Sequence, residues 1–147
     1  MLDRLRDHIA TYLAKHQTCV ISTAGPEGVQ ATLVRYHSRG LEVDCLIPRW
    51  ADVAYHLERG LHVVLIIQDT TTPGMRWLQY RGTSHPVENP DWTEWLISEP
   101  SSTNAAHDTR YAIRTTPELY RIARITPIRI DLLDESRGWG ERETLDL

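Results

Sequence analysis

The chain has no phenylalanine and, among its 147 residues, a single lysine, Lys15. It has only two cysteines, Cys19 and Cys45, and no apolar run of the roughly 18 residues that a membrane-spanning helix needs. Each shortage excludes something. Two thiols, each inside an apolar run and not in a CxxC pair, cannot form a disulfide framework and read as buried groups of a reducing compartment. The N-terminus MLDRLRDHIATYL is charged and amphipathic, without the apolar centre of a signal peptide. A cytoplasmic protein with no membrane partner is therefore expected. There is also no GxGxxG or P-loop pattern and no serine in a GxSxG elbow. The seven histidines are scattered, and neither His8/His16 nor His56/His62 has metal-ligand spacing. No metal is expected.

The missing lysines are replaced by 15 arginines. A net charge of −4 speaks against nucleic acid as a general partner. Arginine's planar fork suits carboxylate or phosphate, though a compositional bias would also account for most of the fifteen. The length and an apolar fraction of 41% suit one domain, 1–147, with a real core.

Periodicity orders the chain. Leu2, Leu5, Ile9, Tyr12 and Leu13 predict an amphipathic helix over 2–14. Runs at 18–23, 29–38 and 41–47, joined by AGPEG and Arg39-Gly40, predict three antiparallel strands. Trp50, Val53, Ala54, Leu57 and Leu61 have helical spacing, with Gly60 as the stop. His62–Asp69 contains VVLII and reads as a fully buried strand. Residues 75–87 form a long strand with Gly82 inside it, the mark of a bulge or bend. Asn89-Pro90 reads as a helix cap with proline at the first helical position. Residues 98–117 are hard to read, with a helical piece around 105–114. Strand alternation returns over 120–132, before a tail. Six strands with short antiparallel links and few helices predict a mainly β (α+β) fold, a six-stranded antiparallel barrel with flanking helices.

The chemistry-bearing groups lie on strands and strand ends. Thr32 and Arg35 are on the second strand, and Arg49 and Trp50 close the third. Trp77, Gln79 and Arg81 alternate on one face of the fifth, and Arg137, Trp139 and Arg142 are in the tail. Such groups suit a planar anionic ligand: arginine for phosphate, glutamine for a ring edge, tryptophan for a ring face. The same residue types also build salt bridges and a dimer seam.

Four stretches, GPEGVQATLVRYH (25–37), LIPRWADVAYHLERGLHVVLIIQD (46–69), WLQYRGTSHPVE (77–88) and IARITPIRIDLLDESRGWGERETL (122–145), occur in an order that resembles the pyridoxamine 5'-phosphate oxidase-like, FMN-binding split β-barrels. The resemblance implies a homodimer with FMN at the subunit interface and a small-molecule substrate. It implies a phosphate held by Arg35, Arg49 and the surroundings of Trp50. The flavin ring would rest on main chain at Thr32, Leu33, Val34, Cys45 and Leu46. Trp77 or Gln79 would touch it, and Trp139 and Arg142 would close over it from the other subunit. The implied function is an FMN-binding, oxidoreductase-like protein. The family also holds deazaflavin and haem binders and barrels with no known ligand, so a non-catalytic cofactor binder or a dimeric barrel with a degenerate site are the alternatives. Tyr36, His37 and Arg81 are candidate substrate contacts; no catalytic acid or base is assigned.

One departure matters. Many members carry Ser/Thr-Arg-Lys at the start of the helix after the third strand, where this chain reads RWAD, with Asp52 in place of the lysine. A hydrogen bond from Arg49 to phosphate contributes roughly 1.5–3 kcal/mol. A carboxylate ~4 Å from a phosphate costs about 4 kcal/mol per charge pair at an effective dielectric near 20. Either Asp52 turns away, toward the favourable helix N-terminus, or no phosphate binds there.

Overall fold

The computed structural model describes residues 2–26, 28–59, 62–95, 117–138 and 140–147. Helix α1 (Leu2–Lys15) precedes strands β1 (Thr18–Gly25), β2 (Gly28–Arg39) and β3 (Glu42–Pro48). Helix α2 (Asp52–Arg59) follows, then β4 (His62–Asp69) and β5 (Arg76–Pro86), a 3-10 turn (Trp92–Trp95), β6 (Tyr120–Asp134), a second 3-10 turn (Glu135–Arg137) and β7 (Arg142–Asp146).

All strand pairs are antiparallel, in the order β3-β2-β1-β4-β5-β6-β7. β6 also pairs back onto β3, closing six strands into a barrel and leaving β7 on the outside. Closure removes the sheet edges that would otherwise invite aggregation. Alternation then assigns one face of each strand to the interior: Cys19 and Ile21, Val34 and Tyr36, Val43 and Ile47, Leu65 and Ile67, Leu78 and Tyr80, Ile125 and Ile130 are all buried.

A core without phenylalanine is filled by tyrosine, and each hydroxyl needs a partner. Tyr12 donates to the Ile67 carbonyl at 2.7 Å and Tyr36 to the Leu13 carbonyl at 2.7 Å. Tyr80 donates to the carbonyls of Leu41 at 2.5 Å and Ile125 at 3.1 Å. Burial pushes all three hydroxyls well above the usual tyrosine range. The expected bulge is present: the β5–β6 register shifts between Arg81 and Gly82, opposite Pro127. A Cβ at Gly82 would lie 2.6 Å from the Thr126 carbonyl oxygen.

Three expectations need correction. α2 begins at Asp52, not Trp50, because the chain first makes a tight turn in which the Ala51 amide donates to the Pro48 carbonyl at 3.1 Å. Trp50 stands outside the helix stripe and is 80% exposed. β4 is not fully buried, since a barrel has one interior: Val64 and Ile66 point outward and are half-buried. Asn89 is no cap. Its φ of 53° is left-handed, and the turn that follows is secured by Asp91, whose carboxylate accepts from the Thr93 amide at 3.0 Å. The six-stranded barrel is as expected; among the described residues a seventh strand, RETLD in the tail, adds to its outside by pairing with β6 and buries only Leu145. The helical piece expected at 105–114 lies outside the described residues.

Candidate functional site

β3 ends at Pro48, and the turn delivers Arg49 and Trp50 to the surface. The Arg49 amide donates to the Leu119 carbonyl at 2.9 Å, and its Nε donates to the Pro117 carbonyl at 2.6 Å. Among the described residues no carboxylate pairs with Arg49, so its two terminal nitrogens have no anionic partner there. It lines a cleft of about 500 Å³ between the end of β3, residues 86–92 and the start of β6. Arg121, Asn89 and Trp92 share that cleft, and no acidic residue is among the described residues lining it. Asp52 does not line it; it lies exposed in the first turn of α2, where a carboxylate is favourable.

The outer face of β2, β3 and β6 is covered. Arg35, Leu46 and Ile122 are register partners there. Leu46 and Ile122 are buried with Trp95 of the first 3-10 turn. His37 stacks on Trp95 with ring centroids 3.9 Å apart and planes 3° apart. Desolvation holds the His37 imidazole below its ordinary pKa, against the opposing field of Glu94. Buried Asp44 receives Arg124 at 2.8 and 3.1 Å, and Arg39 lies 3.8 Å away. Val34 and Cys45 point into the core, so only their main chain could meet a ligand. The Cys45 thiol is pushed up by its hydrogen bond with Cys19 and by burial. Thr32 pairs with Ile21 and shares its inward side, half-buried.

The outer face of β2, β1, β4 and β5 is open. Leu33, Val20, Ile66 and Gln79 form one row across four strands. Leu33 is 69% and Val29 is 73% exposed. Trp77, Gln79 and Arg81 share this outer side, and Arg142 lies beyond Trp77 across Leu133. Trp139 is outside the described residues. The predicted site residues therefore fall into two groups, one on β2, β3 and the following turn, the other on β5 and β7. From β2 to β5 is three strand spacings, about 14 Å, across an apolar surface. Within one chain the two groups stay apart.

Arg121, Asn89 and Trp92 were not marked in the sequence. Arg121 reads as an ordinary strand residue, and only the pairing of β6 with β3 brings it beside Arg49. Asn89-Pro90 was the one available signal, and capping preferences misread it.

A second cleft, of about 490 Å³, lies between α1 and the β4–β5 connection around Arg76, Asp69, His8 and His16. Arg76 and Asp69 pair with each other there, at 3.1 Å. Among the described residues there is no group of three or more His, Cys, Asp or Glu that could hold a metal ion. Nor, among the described residues, is any helix long and apolar enough to cross a membrane.

The fold is that of the pyridoxamine 5'-phosphate oxidase-like split barrels. A protein from Clostridium acetobutylicum related to general stress protein 26, of the pyridoxinephosphate oxidase family, superposes with a TM-score of 0.68 at 11% identity, covering 99% of this chain and 96% of that one. An FAD-binding protein from Mesorhizobium loti gives 0.61 at 9% identity, over 97% and 94% of the two chains. A heme binding protein from Mycobacterium smegmatis gives 0.65 at 12% identity, covering 96% of this chain and 56% of that one. No protein-family model matches the sequence, and no curated protein matches it.

Proposed function

We propose that the chain is a flavin-binding, oxidoreductase-type protein that holds FMN where two copies meet. The observation that carries this reading is the Arg49 cleft: an arginine without a carboxylate partner among the described residues, in a cavity of ligand size whose described lining has no acid. The residues fit a phosphate, because Asp52 lies outside the lining. Arg49 would bind the phosphate; Arg35, on β2 opposite Leu46, does not line the cleft. The backbone of β2 and β3 would support the ring. FMN, when bound, supplies the electron-transfer chemistry; the protein positions a substrate and excludes water. Held below its ordinary pKa, His37 would offer a substrate a neutral ring at pH 7.

The separation of the two groups of site residues favours a homodimer. A second copy packed on the apolar outer face would bring its Trp77, Gln79 and Arg142 toward the first copy's β2 and β3. Exposed Leu33 would then be covered, as continuous apolar patches usually are.

Titration with FMN followed by absorbance is the test. Perturbed flavin bands at micromolar FMN support the reading, and their absence removes it. Light scattering should give twice 16.9 kDa. Leu33→Glu should yield monomer and lose FMN binding; a dimeric, FMN-loaded Leu33→Glu would reject the interface. Oxidation of reduced nicotinamide with an added acceptor then separates an enzyme from a carrier.

A further inference from the structure

A phosphate monoester carries close to two negative charges near neutral pH, and Arg49 offers one positive charge. The missing charge is already in the cleft. Arg121 stands second in β6, opposite Ile47, and lines the same cavity as Arg49. Its side chain is 26% exposed, and its Nη1 donates to Glu58 of α2 at 2.5 Å. That bond uses one nitrogen and leaves Nη2 and Nε. The Arg49 Nε is likewise committed, to Pro117, which fixes the guanidinium plane and leaves Nη1 and Nη2. Two guanidinium groups, each tethered by one bond, thus share a cleft whose described lining has no carboxylate.

The rest of the lining suits a ring attached to that phosphate. Trp92 is half-buried, lines the cleft and packs against the cluster of Leu46, Trp95 and Ile122. Asn89 is the one non-glycine residue with positive φ among the described residues, and it sits on this wall. Backbone conformations of this kind gather at ligand sites.

We infer that Arg121 is the second phosphate-binding residue, acting with Arg49 on a phosphate-bearing planar ligand, with Asn89 and Trp92 completing the cleft. The inference rests on the flavin reading for the identity of the ligand, and the experiment separates the two.

Calorimetric titrations with FMN, riboflavin and inorganic pyrophosphate would be run on the wild-type chain, Arg121→Gln and Glu58→Gln. Arg121→Gln should weaken FMN binding at least about tenfold and leave riboflavin within about twofold, because only the phosphate loses a charge-assisted bond. Glu58→Gln breaks the same ion pair but keeps the cation, so it should bind FMN as well as wild type or better. Wild-type FMN affinity in Arg121→Gln overturns the inference and leaves the flavin reading standing. Equal loss in Glu58→Gln also overturns it, since Arg121 would then act through α2. If wild type binds neither flavin, the flavin reading fails. Pyrophosphate binding that Arg121→Gln abolishes would then uphold the two-arginine anion site, and no pyrophosphate binding would overturn it as well.

Discussion

Two clefts of nearly equal volume are each built around an arginine, and the two arginines do opposite things. Arg76 faces carboxylates on two strands, although its buried Nε makes no hydrogen bond. Its Nη1 donates to Asp69 at 3.1 Å, its Nε lies 3.6 Å from Asp134, and its Nη2 meets His8 Nε2 at 2.9 Å. The guanidinium also lies 5.2 Å from the Tyr12 ring centroid. Asp69 in turn accepts from the Thr71 amide at 2.9 Å and its hydroxyl at 2.6 Å, and faces His16 at 3.6 Å. This network ties α1 to the β4–β5 connection. Arg49 has one carbonyl and, among the described residues, no carboxylate. An arginine surrounded by its counter-charges holds a fold together; one without them is available to a ligand.

The comparison predicts opposite outcomes for the same substitution. Arg76→Ala leaves Asp69 buried without its cation and should cost about 3 kcal/mol. At this chain size the melting temperature should drop by roughly 6–12 °C. FMN affinity measured below the transition should not change. Arg49→Ala should reverse the pattern, with FMN binding weakened at least about tenfold and a melting temperature within about 2 °C of wild type. If thermal melts and FMN titrations show both variants losing stability and affinity together, the distinction between the two arginines fails.

A finer test uses pH. The Thr71 hydroxyl and amide, with Arg76, hold the Asp69 carboxyl at about 2, below its ordinary 3.8. A depressed carboxyl contributes stability that is fully present above the unfolded value and is lost as pH falls through the folded one. The window therefore runs from about 4 down to about 2, and the loss, discounted for screening, should be about 1–2 kcal/mol. Denaturant unfolding at stepped pH should show this fall in wild type. Asp69→Asn should be less stable at pH 7 and show a shallower fall across that window. Parallel slopes would remove Asp69 from the account.

Much of the barrel was legible in the sequence because each strand faces one interior. Leu41, Val43, Cys45 and Ile47 alternate, and Gly82 in a strand interior marked the bulge correctly. β7 was hidden because it adds to the outside and buries only Leu145, too little for a period to register. The 3-10 turn was misread because Asn89-Pro90 satisfies capping preferences, while the turn is secured by the bond from Thr93 to Asp91, two residues after Asn89. Arg49's position at the strand-to-helix junction was legible. Arg121 was not, because its partnership with Arg49 depends on β6 closing onto β3, a contact spanning more than seventy residues of sequence. The sequence also contains no sign that Arg76 is engaged and Arg49 is not, since that depends on Asp69 and Asp134 arriving from separate strands.

Trp50 gives the comparison its smallest and most exacting case. Helical spacing put it on the buried stripe of α2, yet it is 80% exposed in the turn beside Arg49. An exposed indole has almost nothing to lose on truncation, so Trp50→Ala should change stability by less than about 0.5 kcal/mol. If the cleft holds a flavin, Trp50 stands where it could cover the ring. Covering one face of a bound ring is worth about 0.5–1.5 kcal/mol, so the same variant should weaken FMN binding by about two- to tenfold. Riboflavin should weaken by the same factor, because the indole meets the ring and not the phosphate. A loss confined to FMN would instead mean that Trp50 acts by orienting Arg49. Unchanged affinity for both flavins would leave Trp50 as ordinary surface and narrow the site to the two arginines.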